Sequence, residues 1–268
     1  MLQDEKILVI DDEQVILDAV SRIASAEGLN VDSDNDASSA LKKLSHKEYS
    51  LILCDIMMPQ MDGFTFLDEI QKRKILTPVI MITGYSTFEN AVKSLYKGAI
   101  DFVPKPFTFE ELNSSISRGI KYFRIQKGIE DAKFRNDKAS LLYVSGPPKY
   151  KRLGNLSWTN LIFEGIAVIG ATDLFLETIE KLTNIELMNL EEEIIQGDCC
   201  ATLTTDDELI HRLLSPVSGR IIERNEKILN DINLLEKDPY FEGWIYKVIP
   251  SNMEYDLKYL VTFASDRM

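Results

Sequence analysis

Residues 5 to 120 alternate short apolar runs with longer segments whose apolar residues recur at helical spacing. The segment from Glu13 to Glu27 shows this spacing, and Gly28 provides its stop signal. Runs that are apolar throughout are typical of parallel strands covered by helices on both faces. The alternation therefore predicts a doubly wound α/β domain with a five-stranded parallel sheet. The candidate strands are residues 6–10, 30–35, 50–54, 78–83 and 100–103, and the further helices are Gly63–Lys74, Ser86–Lys97 and one from Phe109.

Polar residues follow these strands at the point where each strand ends. Asp11 and Asp12 follow the first strand, Asp55 the third, Thr83 ends the fourth, and Lys105 follows the fifth. In such a sheet, ligands bind beyond the carboxyl ends of the strands. Three carboxylates brought together repel one another unless a cation intervenes, and oxygen ligands suit Mg²⁺. The pattern predicts a magnesium site where a carboxylate can attack a phosphoryl donor, with a lysine and a hydroxyl beside it.

Simpler explanations exist for each of these residues taken singly. Asp11 and Asp12 could be a helix-capping pair, because carboxylates favour helix N-termini. Asp55 could be a loop residue, Phe102 a plain core residue, and Cys54 a small buried hydrophobic residue. Their joint occurrence in this order, at these strand ends, favours the functional interpretation.

Four motifs carry a family resemblance: Asp11-Asp12, "LCDIMMPQMDG" around Asp55, "ITGY" at Thr83 and "DFVPKPF" around Lys105. Together they resemble the receiver domain of two-component response regulators over residues 4–120, which implies a flavodoxin-like fold. The resemblance implies phosphorylation of Asp55 by a sensor histidine kinase or phosphotransfer protein. It also implies Asp12 as a direct Mg²⁺ ligand, Asp11 as a helper through water, and Met57 as the donor of a backbone carbonyl.

The same resemblance assigns roles to the fourth and fifth strand ends. Thr83 and Lys105 would contact the phosphoryl group, and Lys105-Pro106 matches a family cis peptide. Thr83 and Phe102 match a switch pair in which the hydroxyl moves toward the phosphate and the ring turns inward. Because Met57 and Tyr85 fringe the pocket and cannot orient a water molecule, we expect slow self-dephosphorylation and no other enzymatic activity.

Residues 121–152 differ from their surroundings in charge. This stretch has 9 basic and 3 acidic residues, against 12 and 19 in residues 1–120 and 9 and 21 in residues 153–268. Helix-compatible sequence runs to about Ser140, and Gly146-Pro147-Pro148 breaks it. We expect a basic, partly helical linker that could support a homodimer together with the last receiver helix. Acidic bodies on both sides argue against nucleic-acid binding, which depends on neutralising phosphates.

The third part, residues 153–268, consists of short strand-like segments separated by turns, with helical segments at Thr172–Leu182 and Met253–Phe263. Its motifs are "IAVIGATDLF", "GDCCATL", "SPVSGRIIERN" and "DPYFEGWIYKVIPSN". They resemble the H protein of the glycine cleavage system, a relative of lipoyl carrier domains, which implies a mostly-β barrel-sandwich fold. Trp158 falls at the family's early Trp, and Leu156 replaces a usual His.

The lipoyl attachment site departs from the family. In the family, the lysine that carries lipoate lies at a hairpin tip, seven residues before the Ser that begins the turn corresponding to Ser215–Gly219. In this chain, Glu208 occupies that position. No lysine occurs between Lys181 and Lys227. We therefore expect no lipoate, and a protein-docking module as the output domain. A lipoyl-type carrier under phosphorylation control and an atypical transcription regulator are the alternatives.

Two observations bear on the compartment. The chain has no apolar run long enough to cross a membrane, and its start does not resemble a signal peptide. Three cysteines without metal spacing suit a reducing environment. We expect a cytoplasmic protein that does not associate with membranes.

Overall fold

The computed structural model describes residues 5–134 and 143–264. They form two compact units, one of residues 5–90 with 97–134 and the other of residues 91–96 with 143–264. The first part of the chain alternates strands and helices, as the sequence predicts. Its strands are β1 Lys6–Ile10, β2 Asn30–Asp34, β3 Leu51–Asp55, β4 Val79–Thr83 and β5 Asp101–Pro104, and its helices are α1 Gln14–Ala26, α2 Ala37–Leu44, α3 Gly63–Lys72, α4 Phe88–Tyr96 and α5 Phe109–Phe134.

The five strands form one parallel sheet in the order β2-β1-β3-β4-β5. Alternate residues of the strands face two separate apolar clusters, one containing Leu8 and Ile52, the other Val9 and Leu53. Both faces of β1, β3 and β4 are therefore buried, which explains why the sequences of these strands are largely apolar. The predicted doubly wound α/β fold is confirmed.

The edges of the predicted elements differ in places from the structure. Strand β2 is polar because it lies at the edge of the sheet, where only Asp34 of its five residues is buried. Helix α2 was not predicted, although it buries Ala37, Ala40 and Leu41 on one face. Its start is fixed by Asp36, whose carboxylate accepts the backbone N–H groups of Ser38 and Ser39. Helix α5 continues to Phe134, and the predicted extension to Ser140 lies outside the described residues.

The C-terminal part is mostly antiparallel strand, as expected of a barrel-sandwich domain. The strands are β6 Lys151–Leu153, β7 Ser157–Leu161, β8 Ala167–Ala171, β9 Leu182–Leu187, β10 Glu193–Ile194, β11 Cys199–Thr205, β12 Ile210–Leu214, β13 Gly219–Arg224, β14 Tyr246–Pro250 and β15 Val261–Thr262. One sheet has the order β10-β13-β14-β8-β7-β6-β15 and a second the order β12-β11-β9. The helices are α6 Asp173–Glu177, α7 Glu226–Asn230, α8 Asn233–Lys237 and α9 Met253–Asp256, with 3₁₀ turns at Phe163–Gly165 and Leu257–Tyr259.

Both helices predicted in this part are shorter than expected. The segment Thr172–Leu182 holds only α6, because Leu182 begins β9 and pairs with Thr205 of β11. The segment Met253–Phe263 holds α9 and a 3₁₀ turn, and then joins the large sheet as β15. Pairing with distant strands overrides the local helical pattern at both places.

The turn before β13 and the aromatic residues nearby hold this fold together. Trp158 is buried and donates its indole N–H to the Pro239 carbonyl at 3.1 Å. Ser215 is buried in the turn and donates its hydroxyl to the Val217 carbonyl at 2.7 Å. Gly219 leaves no room for a side chain, since a Cβ there would overlap the Ile249 carbonyl oxygen and lie 2.8 Å from Pro250 Cα.

A short segment ahead of β6 is bonded to the same unit. The Tyr240 hydroxyl donates to the Val144 carbonyl at 3.1 Å, and the Asp173 carboxylate accepts the Val144 N–H. The backbone N–H of Asp173 in turn donates to the Tyr240 hydroxyl at 3.1 Å. We call this set of contacts the Val144 clamp. Burial of Asp173 raises the pKa of its carboxyl, while the bond from Val144 opposes that effect.

Candidate functional site

Two buried carboxylates lie side by side at the carboxyl edge of the five-stranded sheet. The register pairs Ile10 of β1 with Cys54 of β3, so the next residues, Asp11 and Asp55, are neighbours. Both side chains are buried. Asp55 accepts the Met57 N–H at 2.6 Å, and Asp11 accepts the Glu13 N–H at 3.0 Å. The loops after the two strands therefore fix the orientation of both carboxylates.

Lys105 bridges these two carboxylates. Its Nζ atom lies 2.6 Å from Asp11 Oδ2 and 2.9 Å from Asp55 Oδ1, and its side chain is only 10% exposed. The bond between Lys105 and Pro106 is cis, and the Lys105 N–H donates to the Thr83 carbonyl at 2.7 Å. The Lys105 ammonium thus forms ion pairs with both Asp11 and Asp55, which follow strands that are distant in sequence.

The charges at this edge are incompletely balanced. Burial raises the pKa of Asp11, against the bond to Lys105, and the negative charge of Asp55 raises it further. Burial lowers the pKa of Lys105, but its bonds to Asp11 and Asp55 outweigh that effect and raise it. Two carboxylates with a single cation favour binding of additional positive charge at this position.

The predicted magnesium ligands are only partly gathered. Asp12 is exposed, and Met57 is 52% exposed beside Asp55. Within residues 5–134 and 143–264, no three His, Cys, Asp or Glu side chains form a ready metal-binding group. Mg²⁺ is nevertheless commonly held by one or two carboxylates together with water and substrate phosphate. The donor set of Asp11 and Asp55, all oxygen and short of positive charge, fits that ion.

Thr83 and Phe102 lie on the adjacent strands β4 and β5. Thr83 is fully buried, and its hydroxyl oxygen accepts the Tyr85 N–H at 3.1 Å. The ring of Phe102 is partly buried against the cluster that contains Met81, its register partner on β4. The two residues are thus two register positions apart, since Thr83 is paired with Pro104.

Two residues at this edge were not predicted from the sequence. Glu13 Oε1 lies 3.6 Å from Lys105 Nζ, a contact that no local pattern reveals. Gly63 begins α3 where a Cβ would overlap the Asp55 carbonyl oxygen and lie 2.6 Å from the Met81 side chain. The Asp62-Gly63 pair after Asp55 was the available signal, because a strand-to-helix turn this close to the backbone requires glycine.

The C-terminal part places Glu208 at the tip of the hairpin between β11 and β12. Its φ is +65°, its side chain is exposed, and its N–H donates to the Thr205 carbonyl at 3.0 Å. Asp206 and Asp207 precede it and are also exposed. The tip is therefore acidic, and Glu208 places an exposed carboxylate on it.

Strand pairing brings one lysine beside this tip. The Asp206 N–H donates to the Lys181 carbonyl at 3.0 Å, immediately before Leu182 of β9 pairs with Thr205 of β11. Lys181 is exposed. Lys181 and Glu208 are 27 residues apart in the chain, the difference between 208 and 181. Because of this separation, the sequence alone did not predict that they are neighbours.

Comparison with known families identifies both parts of the chain. Residues 7–117 match the family described as response regulator receiver domain. Residues 149–266 match the family described as glycine cleavage H-protein. The chain therefore contains a receiver domain followed by an H-protein-like domain, and both resemblances predicted from the motifs are confirmed.

Individual relatives match only part of the chain. The DNA-binding transcriptional regulator NtrC of Proteus hauseri is 31% identical over 163 residues, which is 60% of this chain and 34% of that protein. The regulatory protein AtoC of Escherichia coli is 35% identical over 46% of this chain and 27% of its own length. This chain thus spans about a third or less of these curated relatives.

A solved structure of an H protein is also similar to part of the chain. The glycine cleavage system H protein of Mycobacterium marinum is 24% identical, with a TM-score of 0.36, over 39% of this chain and 86% of that protein. The domain assignment rests on the family match. In the described parts of the chain, no helix is both long enough and apolar enough to span a bilayer.

Proposed function

We propose that this protein is a two-component response regulator that accepts a phosphoryl group on Asp55 from a sensor histidine kinase or phosphotransfer protein. The observation that carries the proposal is the buried pair of Asp11 and Asp55 held by Lys105 in a domain of the receiver family. The free thiols of Cys54, Cys199 and Cys200 suit the reducing cytoplasm expected from the sequence.

The chemistry follows from the positions of these groups. An Asp55 carboxylate oxygen attacks the phosphorus of the donor, and the bond from phosphorus to the leaving group breaks in the same in-line displacement. Lys105 then contacts a phosphoryl oxygen, and the Thr83 hydroxyl proton is available to another. Mg²⁺, held by Asp11, Asp12, Asp55 and the Met57 carbonyl, would supply charge neutralisation for the transferred oxygens.

The proposed switch consists of Thr83 and Phe102. Donation of the Thr83 hydroxyl to the phosphoryl group draws that side chain toward Asp55 and leaves space that the partly buried Phe102 ring can enter. The direct test of the whole proposal is labelling of the full chain with magnesium and a small acyl phosphate, followed by mapping of the modified residue. Failure to label Asp55 would contradict it.

Replacing Met57 with asparagine is expected to shorten the life of the phosphoryl group about tenfold. The amide can orient an attacking water molecule, whereas the exposed thioether of Met57 cannot. The measurement is the rate of phosphate loss after the donor is removed. The matched control is Leu76→Asn, since Leu76 is 54% exposed but precedes β4, at the opposite end of the sheet. Equal lifetimes in wild type and Met57→Asn would refute the expectation.

For the remainder of the chain, we propose a linker at 121–152 between a receiver at 1–120 and a docking module at 153–268. The last part of the linker is bonded to the docking module, through Val144 and through residues 151 and 152 of β6. The exposed acidic tip at Asp206, Asp207 and Glu208 supports a module that contacts a protein partner of complementary charge. The long α5 helix, which extends 14 residues past Ile120 to Phe134, supports homodimer formation. A partner retained by wild type and lost from an Asp206→Asn, Glu208→Gln double variant would support docking through the tip.

One observation favours a second candidate, a carrier controlled by phosphorylation. Lys181 supplies an exposed amine beside the hairpin tip, although not at its apex. The relative NtrC is a DNA-binding transcriptional regulator, but the net charge of −13 on this chain disfavours DNA binding here. The acidic balance therefore leaves an atypical transcription regulator without support.

Expressed in a host that attaches lipoate, the wild-type chain is expected to keep its unmodified mass. The reason is that Glu208 replaces the amine at the tip. A Glu208→Lys variant restores that amine and is expected to acquire a lipoyl adduct, which intact-mass analysis would detect. An adduct on the wild type that disappears in Lys181→Arg would establish the carrier function and contradict the docking proposal.

A further inference from the structure

Glu13 occupies an unusual position at the start of α1. It is the residue that caps the helix, yet its side chain makes no capping hydrogen bond. Instead its carboxylate lies 3.6 Å from Lys105 Nζ, while its backbone N–H donates to Asp11 at 3.0 Å. Glu13 thus contacts both the lysine and one of the two carboxylates that share it.

Lys105 and a divalent cation would compete for the oxygens of the two buried carboxylates. The ammonium is 2.6 Å from Asp11 Oδ2, which is an oxygen that the cation must also attract. Because the lysine side chain is only 10% exposed, water cannot easily replace a lost carboxylate partner. Release from Asp11 would leave Lys105 with Asp55 as its one buried partner, so a further anionic acceptor close by would favour that release.

We propose that Glu13 is a positioning residue for Lys105 and receives its ammonium when Asp11 turns toward the divalent cation. The Glu13 side chain is 60% exposed and so has freedom to close the remaining distance. Lys105 then stays beside Asp55, where the phosphoryl group is to be transferred. This inference rests on the proposed function, because it assumes that the cation binds at Asp11 and Asp55.

The experiment measures binding of magnesium alone to the full chain by calorimetric titration. Glu13→Gln is expected to raise the dissociation constant about three- to fivefold, the size expected for a partly exposed ion pair. Glu13→Asp, which keeps the charge, is expected to restore most of the affinity. Asp18→Asn removes an equal charge from an exposed position on the same helix and is expected to leave the constant unchanged.

A double-variant cycle separates the contact from simple charge attraction. In a Lys105→Met background no ammonium has to move, so Glu13→Gln is expected to change the constant by less than about 1.5-fold. An undiminished effect there would overturn the inference, as would an equal loss in Asp18→Asn. If Lys105→Met does not fold, the dissociation constants of the other three variants still test the inference. It requires weaker magnesium binding in Glu13→Gln than in either Glu13→Asp or Asp18→Asn.

The failure of this inference can be told apart from failure of the proposed function. If wild type binds magnesium and labels at Asp55, but Glu13→Gln binds magnesium equally well, only the role of Glu13 is wrong. If wild type neither binds magnesium nor labels, the proposed function itself fails. The thermal midpoint of Glu13→Gln serves as the check that the helix remains intact.

Discussion

Replacement of Asp55 by asparagine is expected to reduce phosphoryl labelling of the full chain by at least about a thousandfold. Asparagine preserves the shape of the side chain and can still accept the Met57 N–H. Its amide, however, is a poor nucleophile, and the substitution removes the anion that Lys105 holds at 2.9 Å. The measurement is the amount of label incorporated from a small acyl phosphate with magnesium present.

The matched control for this experiment is Asp62→Asn in the same loop. Asp62 caps α3 by accepting the Thr65 N–H at 2.7 Å, and asparagine caps helices equally well. The control variant should therefore fold normally and label like wild type. Substantial labelling of Asp55→Asn, mapped to any other aspartate, would show that the acceptor has been misassigned.

The largest effect on stability is expected from Gly219→Ala in the H-protein-like domain. The new Cβ would overlap the Ile249 carbonyl oxygen and lie 2.8 Å from Pro250 Cα, so both obstacles are backbone atoms of the paired strand β14. Backbone in the middle of a sheet cannot move aside as a side chain can. We expect a loss of about 3–5 kcal/mol in the free energy of unfolding.

Tryptophan fluorescence during denaturant unfolding provides the measurement, since both tryptophans of the chain, Trp158 and Trp244, lie in this domain. Gly165→Ala is the control. Its φ of +76° makes alanine unfavourable, but no heavy atom lies within 4 Å of the added Cβ. Left-handed strain alone costs about 1–2 kcal/mol. Equal losses at the two glycines would contradict the steric explanation for Gly219.

The α/β half of the fold could be predicted from sequence because its signals are local. Within β3, residues Leu51–Cys54 are apolar throughout, and α1 carries its own apolar spacing with a stop at Gly28. In the second half, strand identity depends on partners far along the chain. Leu182 reads as the end of a helix, yet it pairs with Thr205 in a neighbouring strand. Local pattern cannot reveal such pairing. The helices α7 and α8 were also missed, because at five residues each they are too short for a helical apolar pattern to show.

The candidate site follows the same division. Asp11, Asp55 and Lys105 come together because parallel strands end at a common edge, which the strand order alone requires. The contact of Glu13 with Lys105 depends on the direction of one exposed side chain, and the neighbour Lys181 depends on the register of β9 with β11. Sequence spacing predicts which strand ends meet, whereas side-chain directions and registers require coordinates.

The Val144 clamp has a practical consequence for anyone who isolates the C-terminal half. A fragment cut at residue 149, where the H-protein match begins, would discard the backbone groups that occupy the Asp173 carboxylate and the Tyr240 hydroxyl. The buried Asp173 carboxylate would then lose the hydrogen bond from the Val144 N–H, and the fragment would be less stable than the same residues are in the intact chain. A fragment for expression should therefore begin no later than Tyr143. Shorter fragments would give a free energy of unfolding below that of the intact domain.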